Sequence, residues 1–489
     1  MKIAAVTTYV HPTRRRVVER SAMQSAVPEL IAALCPADAE IELYNEKERD
    51  IPLDRDWDLV FFSYLHSYYE HTKVLSAKLR ARGVKTVAGG RHASLFAADA
   101  QRHFDAVVVG EPEPNVPRLV RDFARGVLRP LYDEPSPEVF RPPPYRHDLV
   151  DMQTNPVRVS GIEASRGCPF RCNFCVLTGH ERYRCRPVAD VIAEIRDRAQ
   201  WNTQLFGLLE DGFVFLDNNL GGSPRYLREL CEALIPLRKA WGCAVTFNVL
   251  EDRELVRLMA RAGCRYAYTG LESLNPDSLG SMDKKQNRLK HTARVIEDTF
   301  RAGIVLSFGL IVGADGDTSE YLERVPEYLH DLRFHSVTYL GIVCPYPETP
   351  FFQKLVAEGR LLPGVVSRDL DGYTLCHRPS TIAPDELVEH YKRLSRTLAR
   401  PMNVARHTLQ RFFASDAPRY KSMLLVTARE VASVTHPIAN PDRTFLAGHD
   451  PIEPWDAADM ARLGLTPQRI DASLLDPPPA VRARLPVMP

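Results

Sequence analysis

The sequence lacks any run of about 18 apolar residues, and it lacks an excess of either charge. Without such a run, we expect no membrane-spanning helix. Lys and Arg number 63 and Asp and Glu number 62, a formal net charge of +1, so the overall composition does not favour nucleic acid or an anionic surface as a partner. The first residues, MKIAAVTTYVHP, have no long apolar segment and no small-residue cleavage site, which indicates a first strand rather than a signal peptide. We therefore expect a cytoplasmic protein.

The sequence also lacks an internal repeat, and its 489 residues are enough for two or three domains. Residues 1–126 alternate between strand-like and helix-like segments, the strand-like ones being KIAAVTTY, AEIELYN, DLVFFSY, VKTVAGG and AVVVG. This alternation predicts a doubly wound parallel sheet, in which ligands bind at the carboxyl ends of the strands. The residues expected at those ends are Ser63, Gly89, Gly90, Gly110 and Glu111.

A proline-rich segment follows and predicts a linker over residues 127–154, because Pro142-Pro143-Pro144 suits neither a continuous helix nor a central strand. Strand–helix alternation resumes over residues 155–360, with strands in VSGIEAS, GFVFLDNN, AVTFNV, YAYTGLES, LSFGLIVG and SVTYLGIV. Six such units predict a second parallel α/β domain, a partial (β/α)6 barrel whose chemistry belongs at the carboxyl ends of its strands. Residues 361–489 mix helical and irregular sequence. The predicted fold class is therefore α/β, with two such domains and a mostly helical C-terminal region.

The ten cysteines are expected to be reduced, and their clustering favours a metal site over disulfides. Cys168, Cys172 and Cys175 follow the first strand of the second domain, at gaps of three and two residues. Three thiolates this close suit an iron–sulfur cluster or a zinc ion. A structural zinc ion would need a fourth ligand, which Cys185 or His180 could supply.

The segment CPFRCNFC resembles the CxxxCxΦC signature of the radical S-adenosylmethionine (radical SAM) superfamily, with Phe174 as the aromatic residue Φ. The resemblance implies a [4Fe–4S] cluster held by Cys168, Cys172 and Cys175, with the fourth iron open to the amino and carboxylate groups of SAM. Reductive cleavage of SAM would then give a 5′-deoxyadenosyl radical. On this interpretation Cys185 is not a ligand.

Later strands resemble further superfamily motifs and imply SAM contacts. The motif in GFVFLDNNL places Asp217, Asn218 and Asn219 near the methionyl amino group, and YTGLES makes Glu272 a candidate for the ribose hydroxyls, with Ser273 nearby. The motif in GLIVGADGDT offers Gly309, Ile311 and Gly313 to the adenine. VCPYPETPFFQKL resembles the sixth-strand turn.

The segments VAGGRHASLF and FDAVVVGEPEP resemble the cobalamin-binding domain that precedes many radical SAM cores. This implies that Ser63, Gly89, Gly90, Gly110 and Glu111 lie against cobalamin, with His66, Tyr68 and Tyr69 where a corrin could be approached. The Asp-x-His-x-x-Gly motif that supplies a cobalt ligand elsewhere is absent, despite His11. The resemblance then implies binding without a histidine ligand, the alternative being a domain that has lost its cofactor.

These resemblances imply a cobalamin-dependent radical SAM enzyme that methylates an unactivated carbon of a small molecule. The alternatives are cyclisation, rearrangement or oxidation with the same cofactors, and a non-catalytic iron–sulfur or cobalamin-binding module. We expect an external electron donor such as flavodoxin or ferredoxin, and no nucleic-acid partner. Substrate candidates are Tyr373, His377 and Arg378, and residues 390–489 are expected to help close the substrate side of the barrel.

Overall fold

A computed structural model describes residues 1–11, 13, 25–150, 159–178, 182–197, 212–332, 337–432, 446–448 and 454–475. The chain divides into two compact units. Unit 1 comprises Met1–Arg158, Gly364–Asp371 and Asp450–Pro489, and unit 2 comprises Val159–Pro363 and Gly372–His449. None of the described helices is long and apolar enough to cross a membrane.

Unit 1 contains a six-stranded, all-parallel sheet in the order β2-β1-β3-β4-β5-β6. Its strands are β1 (Lys2–Thr7), β2 (Glu40–Asn45), β3 (Leu59–Ser63), β4 (Lys85–Gly89), β5 (Ala106–Val108) and β6 (Leu131–Tyr132). Most side chains of the inner strands are apolar because helices and loops cover both faces, and the charged Lys2 and Lys85 lie exposed at the strand starts. Val60 and Phe62 face one core and Leu59 and Phe61 the other.

The helices of this part are α1 (Val27–Leu34), α2 (Tyr69–Arg80), α3 (Arg91–Leu95), α4 (Ala97–Ala100) and α5 (Pro112–Ala124). The strand order reverses between β1 and β3, and doubly wound sheets bind ligands in the crevice that such a reversal opens at the carboxyl ends of the strands. The five strands predicted in this half are all present. Strand β6 lies inside the segment predicted as a linker, and its two residues are too few to show a hydrophobic period.

Unit 2 contains a second six-stranded, all-parallel sheet, in the sequential order β14-β13-β12-β11-β10-β7. A separate antiparallel pair, β8 and β9, follows the first strand. The strands are β7 (Ser160–Ile162), β8 (Ser165–Arg166), β9 (Arg184–Cys185), β10 (Phe213–Phe215), β11 (Trp241–Ala244), β12 (Cys264–Glu272), β13 (Val305–Val312) and β14 (Val337–Ile342). Five of the six predicted strands are present. The strand predicted over AVTFNV was wrong in its position, because β11 ends at Ala244 and Phe247–Leu250 forms a short helix. The predicted α/β class is confirmed.

Helices connect these strands and pack their apolar faces on the sheet, as the sequential strand order of a partial (β/α)6 barrel requires. Asp252 accepts backbone N–H groups at the start of α9, and Gly263, at φ +104°, follows its end. The helices of unit 2 up to the last strand's turn are α6 (Val188–Asp197), α7 (Pro224–Leu234), α8 (Phe247–Leu250), α9 (Arg253–Arg261), α10 (Pro276–Ser281), α11 (Thr292–Arg301), α12 (Ser319–Asp331) and α13 (Pro350–Ala357).

The segment predicted as one C-terminal region is divided between the units. Helices α14 (Pro384–Leu398), α15 (Pro401–Ala414) and α16 (Pro418–Ala432) belong to unit 2, whereas α17 (Ala457–Arg462) belongs to unit 1. Tyr420 and Leu424 of α16 pack against Tyr266 and Val305, near the amino ends of β12 and β13. Helix α16 therefore covers the end of the sheet opposite to the one where a barrel's chemistry is expected.

Candidate functional site

The loop that carries the three cysteines lies at the carboxyl end of β7 and is tied to two later parts of unit 2. Asn173 donates its backbone N–H to the Met282 carbonyl (3.2 Å) and its side-chain amide to the Ser281 carbonyl (2.7 Å). Its own carbonyl accepts the Phe351 N–H (3.0 Å) at the start of α13. The segments that follow β12 and β14 thus fix the cysteine loop at the carboxyl end of the sheet.

Within the loop, Cys172 is buried and Cys168 and Cys175 are half-buried. The Cys172 carbonyl accepts the Cys175 N–H (3.1 Å) and the Thr178 hydroxyl (2.7 Å). Burial raises the pKa of the Cys175 thiol to about 11 and raises that of Cys172 as well. No three His, Cys, Asp or Glu side chains converge on one point in the described ranges, so the fit to a cluster is judged from the chemistry of the donors.

Those donors suit an anionic iron–sulfur cluster. The Asn219 amide donates to the Cys168 sulfur (3.6 Å) and the Gln286 amide to the Cys172 sulfur (3.3 Å). N–H donors to sulfur and a nearby cation are among the levers that tune such clusters, and the positive charge of Lys284 lowers the pKa of Cys172 against the effect of burial. Of the two residues considered as a fourth ligand, Cys185 lies on β9 opposite Ser165, and His180 lies outside the described residues.

Glu272 ends β12 at φ +66°, where the pairing of β12 with β13 shifts register. Its carboxylate accepts a hydrogen bond from the Lys284 Nζ at 2.6 Å, and both residues are buried. The Asn287 amide donates to the Gly270 and Leu271 carbonyls and holds the turn. The sequence offered no periodic signal for Lys284 or Asn287, which lie in the irregular segment DKKQN. A carboxylate has about four acceptor positions, so the Lys284 contact leaves Glu272 able to accept further donors.

The side chain of Ser273, which follows Glu272, makes hydrogen bonds within unit 2. Its hydroxyl is 2.8 Å from the Tyr321 hydroxyl and accepts the Asn275 N–H (3.0 Å). These contacts orient the loop after β12. They give Ser273 a structural role beside the predicted SAM contact.

The three side chains of the Asp-Asn-Asn segment after β10 differ in burial and in the groups they contact. Asp217 is buried and accepts the Ala164 N–H (3.1 Å) and the Ser165 hydroxyl (2.5 Å), and burial raises its pKa to about 7. Asn218 is exposed, whereas Asn219 reaches Cys168. Asp217 therefore holds the start of the cysteine loop, whereas Asn219 is the member of this motif that contacts a cysteine sulfur.

Phe174 and Ile311 share two apolar clusters, which brings the aromatic residue of the cysteine motif against β13. The Lys284 Nζ lies 5.8 Å from the centre of the Phe174 ring. Gly313, at φ +88°, donates its N–H to Asp317 (2.8 Å), and its carbonyl accepts the His377 Nε2 hydrogen (3.0 Å). Of the predicted adenine contacts, Ile311 thus packs against the same buried residues as the cysteine loop.

Gly309, another of the predicted adenine contacts, lies against the side chain of Tyr268. A Cβ at this position would lie 2.1 Å from the Tyr268 hydroxyl, and one at Gly341 would lie 2.4 Å from the Tyr339 hydroxyl. Burial and the negative charge of Glu272 both raise the pKa of the Tyr268 phenol, so these two side chains lie near each other. These two tyrosines were not predicted. They place phenols next to the substrate candidate Tyr373, whose ring centre is 6.0 Å from that of Tyr339.

The other substrate candidates lie elsewhere. His377 is fully buried, and burial lowers its pKa to about 4, so it is neutral near pH 7. Arg378 is exposed, and its backbone N–H donates to the Arg360 carbonyl (2.8 Å). Neither contact indicates a substrate role.

In unit 1, the residues predicted to contact cobalamin lie at the carboxyl ends of three adjacent strands. Ser63 pairs in register with Gly89 at the ends of β3 and β4. The Ser94 hydroxyl donates to the Gly90 carbonyl (2.9 Å) and accepts the Gly110 N–H (3.0 Å). These bonds link the loops after β4 and β5 into one edge.

Two glycines of this edge have φ values that favour glycine, +93° at Gly90 and +78° at Gly110. A Cβ at Gly90 would lie 2.8 Å from the Tyr64 carbonyl oxygen, whereas no atom lies within 4 Å of one built at Gly110. Glu111 begins the turn into α5. An edge that is open at Gly110 fits a nucleotide-bearing ligand approaching the backbone.

Of the histidine and tyrosine side chains considered in unit 1, His11, His66 and Tyr69 are buried and Tyr68 is half-buried. His11 is buried, with its Nδ1 2.6 Å from the Thr13 hydroxyl. His66 and His92 are buried with their Nδ1 atoms 2.9 Å apart, and the Tyr69 hydroxyl donates to Asp99 (2.5 Å). Tyr68 packs edge-on against Tyr9, with ring centres 5.5 Å apart. Each of the four side chains thus has at least one contact within the unit.

Comparison with known proteins agrees with this architecture. Residues 162–329 match the model of the radical SAM superfamily. The chain is 25% identical to bacteriochlorophyllide d C-12(1)-methyltransferase of Chlorobaculum tepidum over 378 residues, which are 75% of this chain and 80% of that protein. It is 25% identical to hopanoid C-2 methylase of Rhodopseudomonas palustris over 356 residues, 68% of this chain and 64% of that protein.

Among solved structures, the chain is similar to the radical SAM methyltransferase TsrM from Kitasatospora setae with cobalamin and a [4Fe–4S] cluster bound. The TM-score is 0.60 at 16% identity, and the match covers 88% of this chain and 99% of that one. At this identity the likeness shows a shared fold.

Proposed function

We propose that this chain, which belongs to the radical SAM superfamily, is a cobalamin-dependent C-methyltransferase acting on an unactivated carbon of a small molecule. What carries the proposal is the similarity to a carbon methyltransferase over three quarters of the chain. The two α/β units, in the order expected for a cobalamin-binding domain and a radical SAM core, support it.

In unit 2, Cys168, Cys172 and Cys175 would hold a [4Fe–4S] cluster, with Asn219 and Gln286 donating hydrogen bonds to two of the sulfurs. These amides offset negative charge on the sulfurs, since an N–H group donated to sulfur favours the more negative state. The predicted boundaries of the domains, at residues 126, 154 and 360, remain part of the proposal.

Glu272 would accept the ribose hydroxyls of SAM, with its carboxylate oriented by Lys284. Because both groups are buried, the carboxylate keeps one orientation and water is excluded from it. Phe174 and Ile311 would offer an apolar surface to the adenine, while Gly309 and Gly313 keep the backbone beside it free of side chains. Asp217 and Asn218 would lie toward the methionyl end, and Ser273 would fix the loop after Glu272.

In unit 1, the edge formed by Ser63, Gly89, Gly90, Gly110 and Glu111 would hold cobalamin. When bound, the cluster and SAM supply a hydrogen-abstracting radical and cobalamin supplies the methyl group. The protein positions these reactants and excludes water, and the cofactors carry the bond-breaking. We further propose an external donor such as flavodoxin or ferredoxin and a cytoplasmic location.

The test is anaerobic incubation of the reconstituted full chain with hydroxocobalamin, SAM and a strong reductant, with analysis of the nucleoside products. We expect both 5′-deoxyadenosine and S-adenosylhomocysteine. Cys172→Ala should lose iron and both products, whereas the matched control Cys185→Ala should keep them. 5′-Deoxyadenosine alone would favour cyclisation, rearrangement or oxidation. Neither product from cluster-loaded protein would overturn the proposal and favour a non-catalytic module.

A further inference from the structure

Helix α15 presents its apolar side chains outward. Met402, Leu409 and Phe413 are 78%, 53% and 77% exposed, and their spacing of seven and four residues places them in one stripe of a helix with 3.6 residues per turn. A helix on a globular protein normally turns such a stripe toward the core. Within the part of the chain that the structure describes, this stripe stays open to solvent.

The packing face of α15 lies on the other side of the helix and is already occupied. Val404 is its buried residue, the Arg411 guanidinium lies 4.5 Å from the centre of the Phe300 ring, and Arg411 is 3.8 Å from Glu297. Phe412 joins the apolar cluster of α16. The helix is therefore anchored through one face, and rotating it to bury the stripe would break these contacts.

The segment around the stripe is strongly basic. Residues 390–415 contain six Lys and Arg residues and no Asp or Glu. Lys392 and Arg393 are paired with Glu389 and Glu323, and Arg411 lies on the packed face. The remaining three, Arg396, Arg400 and Arg406, are exposed. Arg406 is exposed and lies one helical turn after Met402 and one turn before Leu409. An outward apolar stripe flanked by basic residues is the pattern of helices that lie in the plane of an anionic membrane surface.

We propose that α15 docks the protein on an anionic lipid surface, with Met402, Leu409 and Phe413 inserted and the exposed Arg400 and Arg406 facing lipid headgroups. The charge pattern favours lipid over a second copy of the chain, because two copies meeting through this face would bring two basic segments together. Docking needs neither cofactor nor substrate. Its test is therefore independent of the proposed reaction.

The experiment is co-sedimentation of the full chain with phosphatidylcholine vesicles that contain or lack phosphatidylglycerol. We expect preferential binding to the anionic vesicles and weaker binding as salt rises, since salt screens exposed charges. Replacing Leu409 and Phe413 together by serine should weaken binding about tenfold or more. Arg406→Gln should weaken it about fivefold.

The matched control replaces Val127 and Val139 together by serine, because these residues are comparably exposed, at 59% and 62%, but lie in unit 1. This variant should bind as the unchanged protein does, and circular dichroism should show all variants folded. Lack of binding by the unchanged protein, equal binding to neutral vesicles, or full binding by the Leu409 and Phe413 variant would overturn the proposal. A Leu409 and Phe413 variant that turns a dimer into a monomer, with vesicle binding unchanged, would assign the stripe to a second copy.

Discussion

Gly309 offers a sharp test of how the interior of unit 2 is packed. A Cβ at this position would lie 2.1 Å from the Tyr268 hydroxyl oxygen and 3.1 Å from the ring carbon that bears it. Overpacking a well-packed interior costs about 1–3 kcal/mol, and replacing glycine in a strand returns about 0.5–1 kcal/mol. Gly309→Ala should therefore destabilise the protein by up to about 2.5 kcal/mol.

Tyr268→Phe removes the atom that makes the short contact. In that background Gly309→Ala should cost about 0.5 kcal/mol or less, so the two substitutions should show a coupling free energy of about 1 kcal/mol or more. The measurement is urea unfolding of the four proteins of this cycle, followed by circular dichroism and tryptophan fluorescence. Gly242→Ala is the control, because its Cβ would meet Tyr266 at an ordinary 3.4 Å.

The same cycle separates two roles for Gly309. If the glycine serves to accommodate Tyr268, the double variant recovers both stability and SAM affinity. If it serves the adenine, as the superfamily resemblance implies, Gly309→Ala weakens SAM binding whether residue 268 is tyrosine or phenylalanine. Free energies of unfolding that add within about 0.5 kcal/mol would refute the packing argument.

Three further outcomes follow from the site. Lys284→Met leaves the buried Glu272 carboxylate without its partner and should cost about 3–5 kcal/mol in unfolding free energy; a double variant with Glu272→Gln should recover part of this, and an unchanged thermal midpoint would contradict the pairing. Burial raises the pKa of Asp217 from 3.8 to about 7, so the folded state binds the extra proton and stability should fall as pH rises from about 4 to 7, by at most about 1.4 kcal/mol per pH unit. Asp217→Asn should flatten that part of the pH profile, and a profile that keeps its slope would assign it to other groups. Asn219→Ala and Gln286→Ala should retain the cluster but make its reduction potential more negative, because N–H donors to sulfur favour the reduced state; an anaerobic redox titration that finds the original potential would count against these contacts.

Most of the fold could be predicted because its strands are buried on both faces and are therefore continuously apolar. Segments such as DLVFFSY and LSFGLIVG have no other common structure at this length between turn residues. Strand β6 was not predicted because Leu131 and Tyr132 are too few to show a hydrophobic period and lie in a proline-rich segment. The division of residues 361–489 between the two units was not predicted either. It depends on contacts such as the pairing of Val366 with Arg469, which join residues about a hundred positions apart in the sequence.

The sequence predicts site residues where a motif fixes their spacing along the chain, as it does for the three cysteines and Glu272, and these roles stay predictions. The site was not predictable where side chains meet through strand register. Lys284 reaches Glu272 across a loop, Tyr268 reaches Gly309 across a strand pair, and Asn219 rather than its neighbour Asn218 turns toward Cys168. Each of these depends on which way a backbone turns after its strand ends, and residue type alone does not encode that direction.

The outward stripe of helix α15 was missed for a different reason, because the net charge was averaged over the whole chain. The whole chain has a formal net charge of +1, and that value argues against an anionic surface as a partner only if the charges are evenly mixed. They are not mixed over residues 390–415, where basic residues occur without acidic ones. An apolar stripe in such a segment would normally be assigned to the core, and only the positions of Val404 and Arg411 on the packed face reveal that Leu409 and Phe413 point outward. Surface function here is set by the local charge and by which face of the helix is already occupied, two quantities that the composition of the chain leaves open.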